Sequence, residues 1–203
     1  MTDLELVRVI ACTHEAAHAV IARALGIPIK RVVVDIISVS PTGLIIDGKA
    51  CATMVPALRR ARKGSKAKQI AELEKDALAL FAGIHAGIKI GAPLAGGEED
   101  FRDIRRKVLC IAQLSSAEIE ESIQTWRRLS DSSRELVHQN WDTICRVAAR
   151  LLSQPVISGR QLDKILKEDH HHERKSHRTY SETDCSQARP HGPTHRVDAA
   201  APR

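Results

Sequence analysis

The sequence has 203 residues, 43% of them hydrophobic but only 2% aromatic, and carries a net charge of +6. That length supports one good core with a small appendage, and a core of Ala, Leu, Ile and Val favours tightly packed helices. The basic excess would suit nucleic acid or an anionic surface. It sits largely in clusters such as "RRARKGSKAK" (59–68), with no nucleic-acid-binding motif and almost no stacking aromatics, so no specific nucleic-acid partner is expected.

Residues 3–25 read as one helix, with Leu6, Ile10, Ala17, Ile21 and Leu25 at three- and four-residue intervals and Gly26 and Pro28 as the stop. "RVVVDIISV" (31–39) is β-branched and strand-like, "SPTG" is a turn, and "LIID" (44–47) returns as a second short strand. A second long helix is predicted from Lys66 to about Ile90, broken by "GAPLAGG" (91–97), and a third from Glu98 to about Leu114. Two capping-box patterns, "SSAE" (Ser115, Glu118) and "SSRE" (Ser132, Glu135), each predict the opening of a further helix. The last of these carries "WDTICRVAARLL" and stops before Pro155, and a short final helix begins around Ser158. The expected fold class is mainly α with a small early β element (α+β).

Two regions are predicted: a domain over 1–168, and a tail over 169–203 that is polar, aperiodic and expected to be disordered. Six of the ten histidines lie in that tail, where a solvated segment is a better account of "HHH" (170–172) than a metal site. The five cysteines, at 12, 51, 110, 145 and 185, form no CxxC pair, which suits a reducing compartment and argues against a disulfide framework. The N-terminus has acids where a secretory signal would be basic, and no apolar run reaches membrane-spanning length, so a cytoplasmic protein without a membrane span is expected.

The first helix carries the chemistry. In "ACTHEAAHAVIARALG" (11–26), His14 and His18 stand at i and i+4 on one face and can offer two imidazole nitrogens to a single Zn²⁺. Glu15 lies about 100° round the helix from His14, placed to take a proton from water beside the ion rather than to ligate. This is the HExxH arrangement. An ordinary helix can contain these residues by chance, but histidines on an apolar, small-residue stripe need polar partners or a ligand. A third ligand must come from outside the helix, since the sequence lacks the HExxHxxGxxH extension; the acidic cluster "GGEEDFRD" (96–103) is the best source.

Four blocks in order, "THEAAHAVIARAL", "LALFAGIHAGIKIG", "AGGEEDFRDIRR" and "VAARLLSQPVISGRQLDKIL", resemble the peptidase domain of FtsH-type zinc metalloproteases. The resemblance implies an FtsH peptidase-like fold and a zinc metalloendopeptidase with His14, His18 and Asp100 as ligands and Glu15 as catalytic base. Glu98, Glu99 and Asp103 compete with Asp100 for the ligand role. It implies a protein or peptide substrate, bound by edge pairing along the strand at 31–39. The family's AGR-x-AEE block is "AGIHAGI" here, so Ile84 and Gly87 replace an Arg and a Glu, and His85 is new; a satisfied, partly buried histidine is expected there. No GxxxxGK[ST] occurs in the sequence, so any ATPase would be a separate partner, and the inference of a homo-oligomer is weakened. Two alternatives remain open: a catalytically inactive interaction module with the peptidase fold, and a regulatory HExxH peptidase cutting one specific protein.

Overall fold

The computed structural model describes residues 2–39, 45–60, 64–92 and 97–168. The predicted turn at 40–43, part of the basic cluster, part of the "GAPLAGG" break and the tail at 169–203 lie outside the described residues. Packing divides the chain into 1–167 and 168–203, and the described residues fall in the first unit, Glu168 excepted.

Helix α1, Asp3–Ala24, opens on a capping box. The Glu5 amide donates to the Thr2 hydroxyl (3.3 Å) and the Thr2 amide to the Glu5 carboxylate (2.7 Å). Its first turns are partly exposed, but Cys12 to Ala22 are buried without a break. A helix buried all round must run through the middle of a domain. The many alanines of this stretch let its neighbours approach closely. Gly26, at φ 75°, takes the left-handed turn that ends it.

Strands β1 (Ile29–Val39) and β2 (Ile45–Met54) form an antiparallel pair in which Val32 faces Ala52 and Val34 faces Ala50. A third strand, β3 (Val156–Ser158), pairs with Arg31–Val33 from the other side. The sheet order is therefore β2-β1-β3, with β1 in the centre. The sequence points to edge pairing of substrate along β1, but both sides of that strand are occupied over Arg31–Val33. β2 is instead an outer strand of the sheet, and its Ala52 backbone reaches Glu15 of α1. Val32, Val34 and Ile36 point into the core shared with α1.

After the single turn α2 (Ala57–Arg60) come α3 (Lys66–Lys89), α4 (Gly97–Ser115), α5 (Ile119–Gln139) and α6 (Trp141–Ser153), and residues 159–168 are helical. Helix α3 has two working faces. Ala79, Ala82 and Ala86 join the α1 core, whereas Leu73, Leu80, Phe81 and Ile84 join a second core with Ile104, Val108 and Ile111 of α4 and Leu129 of α5. Small residues on one face and large ones on the other place α3 tight against α1 and hold α4 at side-chain distance.

Neither serine capping pattern starts a helix. Ser115 is the last residue of α4, its hydroxyl donating to the Ile111 carbonyl (2.9 Å), and the α5 box is formed by Glu118 and Glu121 instead. Ser132, the capping serine of the second pattern, lies exposed in the interior of α5, and its neighbour Ser133 donates to the Leu78 carbonyl (2.9 Å). The expected mainly α fold with a small antiparallel β element is what the structure has.

Candidate metal centre

Three elements bring the site together. Helix α1 supplies His14 and His18 one turn apart, α4 supplies Asp100 from its first turn, and α3 crosses behind the two rings. The His14 and His18 Nε2 atoms are 2.9 Å apart, and Asp100 Oδ2 lies 2.9 Å from the first and 3.0 Å from the second. Among the described residues this is the one group of three or more such side chains with donor atoms clustered closely enough to hold an ion. Of the four acids weighed for the third position, Glu98 and Glu99 are exposed and Asp103 pairs with Arg106 at the surface (2.9 Å). Only Asp100 reaches the imidazoles.

The His18 ring is oriented from behind. Its Nδ1–H donates to the Ala79 carbonyl of α3 at 2.7 Å, which leaves Nε2 directed at His14 and Asp100. Both rings are buried, at 5% and 4% exposure. Burial works against a charged His18, but the neighbouring Asp100 carboxylate outweighs it and carries the His18 pKa to about 9. Burial likewise opposes ionisation of Asp100, yet His18 and His14 together hold it well below the usual carboxylate range.

Glu15 is the odd member. It is buried, its Oε2 has no hydrogen-bond partner among the described residues, and burial pushes its pKa up against the opposing charges of His18 and His14 and the Ala52 amide of β2. A buried carboxylate oxygen without a donor costs about 1–3 kcal/mol or more, so its place beside the two imidazoles calls for an explanation.

These observations test the fit of a divalent cation. Two imidazole nitrogens and a carboxylate oxygen are a normal zinc donor set with room for a further ligand. With His18 Nδ1–H committed to Ala79, Nε2 is the nitrogen that faces His14 and Asp100, and a cation displacing the proton shared there would be held by all three atoms. An orphaned acid stands beside them. The residues fit.

The sequence gives little warning of two supporting groups. The Ala79 carbonyl is invisible to any side-chain pattern. Gly83 of α3 stands directly against the two imidazoles: a Cβ there would lie 2.5 Å from His18 Nε2 and 2.8 Å from His14 Cε1. The i, i+3, i+4, i+7 spacing of Ala79, Ala82, Gly83 and Ala86 is the signal that could have found it. His85 lies outside the trio. Its Nε2 is 3.2 Å from the Ser130 hydroxyl, its ring stacks on Phe81, and burial followed by the Arg134 charge lowers its pKa.

No protein-family model matches the chain, and no curated protein matches it. Among the described residues no helix is long and apolar enough to cross a membrane.

Proposed function

We propose that this chain is a zinc-dependent metalloendopeptidase of the FtsH peptidase type, acting in the cytoplasm on unfolded or flexible protein segments. The observation that carries the reading is the meeting of His14 Nε2, His18 Nε2 and Asp100 Oδ2 beside Glu15, whose Oε2 has no partner among the described residues. His14, His18 and Asp100 would hold the ion. When bound, zinc acts as a Lewis acid that makes water acidic and polarises a carbonyl.

The chain's own residues divide the remaining work. Glu15, made more basic by burial against the opposing pull of its histidine neighbours, takes the proton released as water adds to the scissile carbonyl and returns it to the departing amine nitrogen. Ala79 fixes the His18 ring and Asp100 anchors the pair to α4. Substrate in extended form would lie along the outer edge of β2, whose Ala52 amide already reaches Glu15.

The test is a metal assay paired with a cleavage assay. Purified protein should hold about one zinc per chain, His14→Ala should lose it, and Glu15→Gln should keep it while no longer cutting casein. Zinc without cleavage of casein or a peptide library by the native chain would favour the inactive interaction module. Cleavage of one cellular protein alone would favour the regulatory peptidase. Absence of bound zinc in the native chain would end both peptidase readings and leave the interaction module.

A further inference from the structure

Glycine in the middle of a 24-residue helix is unfavourable, because it gains conformational freedom on unfolding and packs nothing. Gly83 nonetheless sits deep in α3, between Ala82 and Ile84, which are both buried. A glycine kept only to let two helices approach would face the partner's backbone or an aliphatic side chain. Here the three atoms nearest a would-be Cβ all belong to imidazoles: Cε1 and Nε2 of His18 and Cε1 of His14. His18 Nε2 and His14 Cε1, at 2.5 and 2.8 Å, are nearer than van der Waals contact allows.

The rings have nowhere to retreat. His18 is tied on its far nitrogen to Ala79, one turn earlier on the same α3 face. His14 packs edge-on against it at 4.5 Å between centroids, nearly perpendicular at 88°. Both are closed in by the α1 core. A methyl group at position 83 would therefore push the His18 ring off the Ala79 carbonyl or drive both Nε2 atoms out of register with Asp100.

We propose that Gly83 is a positioning residue: the missing Cβ is the seat that lets His14 and His18 both present Nε2 towards Asp100. Ala79 and Gly83 then act as one device, the carbonyl fixing the rotation of His18 and the notch fixing its depth. For metal binding, this inference rests on the reading of the site as a zinc centre; the steric part does not.

Two measurements test it. In the first, zinc and cobalt are titrated into metal-free native protein and Gly83→Ala under chelator competition, with helical content followed by circular dichroism. The variant should keep its helicity, bind zinc about 10- to 100-fold more weakly, as is usual when groups that orient a ligand are disturbed, and give an altered cobalt visible spectrum. Equal affinity and an unchanged spectrum would overturn the proposal, whereas failure of the native protein to bind either metal would overturn the zinc reading instead.

The second uses metal-free protein only. Gly83→Ala should lower Tm in the native background. In a His14→Ala, His18→Ala background, where the three nearest atoms are removed, the same change should raise Tm by about 2–4 °C, the ordinary gain of alanine over glycine in a helix of a domain this size. If Gly83→Ala alone does not fold, folding of the triple variant supports the collision. A triple variant that also loses stability shows that the obstacle is not the imidazoles, and the proposal falls.

Discussion

Helix α3 touches two clusters of buried charge, and they are built on opposite plans. Near its start, Asp76 receives the Ala57 amide (3.1 Å) and Arg60 Nη2 (2.6 Å), with Lys107 at 3.7 Å, while Glu72 receives Arg60 Nε (2.5 Å) and Lys75 (2.9 Å). Every acid there has a base or an amide, and the cluster is complete. Two turns on, three donor atoms face one another around His14, His18 and Asp100, and Glu15 keeps an oxygen with no partner. The first cluster satisfies its charges for the sake of packing. The second leaves an acid oxygen without a donor among the described residues, and that contrast is what motivates the proposal of a working site there rather than a structural ion pair.

The sharpest way to break that contrast is at Glu15. Glu15→Gln preserves the shape of the side chain and removes its basicity, so peptide cleavage should fall by about 100- to 10,000-fold, the usual range for a general base. Zinc content, read by elemental analysis, should not change. If cleavage persists, the orphaned carboxylate is not the base and its isolation needs another explanation.

At the complete cluster the effects should be reversed. Arg60→Ala strips Asp76 and Glu72 of their shared guanidinium in a poorly solvated place, and breaking a buried pair in this way costs about 3 kcal/mol or more. Denaturant unfolding should record that loss while zinc per chain stays at the native value. A variant that lost its metal as well would mean that the two clusters are coupled through α3. Metal acts on stability from the other side: zinc at about 100 times its Kd should stabilise the native chain by about 2.7 kcal/mol. The same addition should leave the Tm of His14→Ala unmoved.

Much of this architecture is legible in the sequence because it is local. The periodicity of α1, α3 and α4 fixes their extents to within a residue or two, and the i, i+4 spacing of His14 and His18 fixes their shared face. Asp100 can be chosen only as one of four acids; its selection needs the α1–α4 contact, which no local pattern encodes. β3 escapes a sequence reading because a three-residue strand exists only through pairing with Arg31–Val33, well over a hundred positions away. The serine patterns mislead for a related reason: Ser132 falls inside α5, which has already begun at the Glu118–Glu121 box, and Ser115 is consumed by the end of α4. β2 extends past the expected 44–47 because β1 templates residues such as Gly48 and Ala50, which have little strand preference of their own. Gly83 and Ala79 act by what they lack or by their backbone, so a search for reactive side chains passes over them.

The smallest expected effect separates the two members of the complete cluster. Arg60 and then Lys75, through their hydrogen bonds, lower the Glu72 pKa from its ordinary value. A carboxylate whose pKa is depressed on folding adds stability above its unfolded pKa, here about 4.5. That stability drains away as pH falls through the lower folded value. Glu72 is partly solvated and Lys75 is 39% exposed, so screening limits the gain to about 1 kcal/mol or less. Glu72→Gln should therefore melt slightly below the native protein near neutrality, and the gap should close as the buffer is taken below the folded pKa, where the native side chain is also uncharged. Asp76 would remain paired with Arg60 in both proteins, so a gap that persists undiminished in acid would point to lost packing or hydrogen-bond geometry rather than to charge.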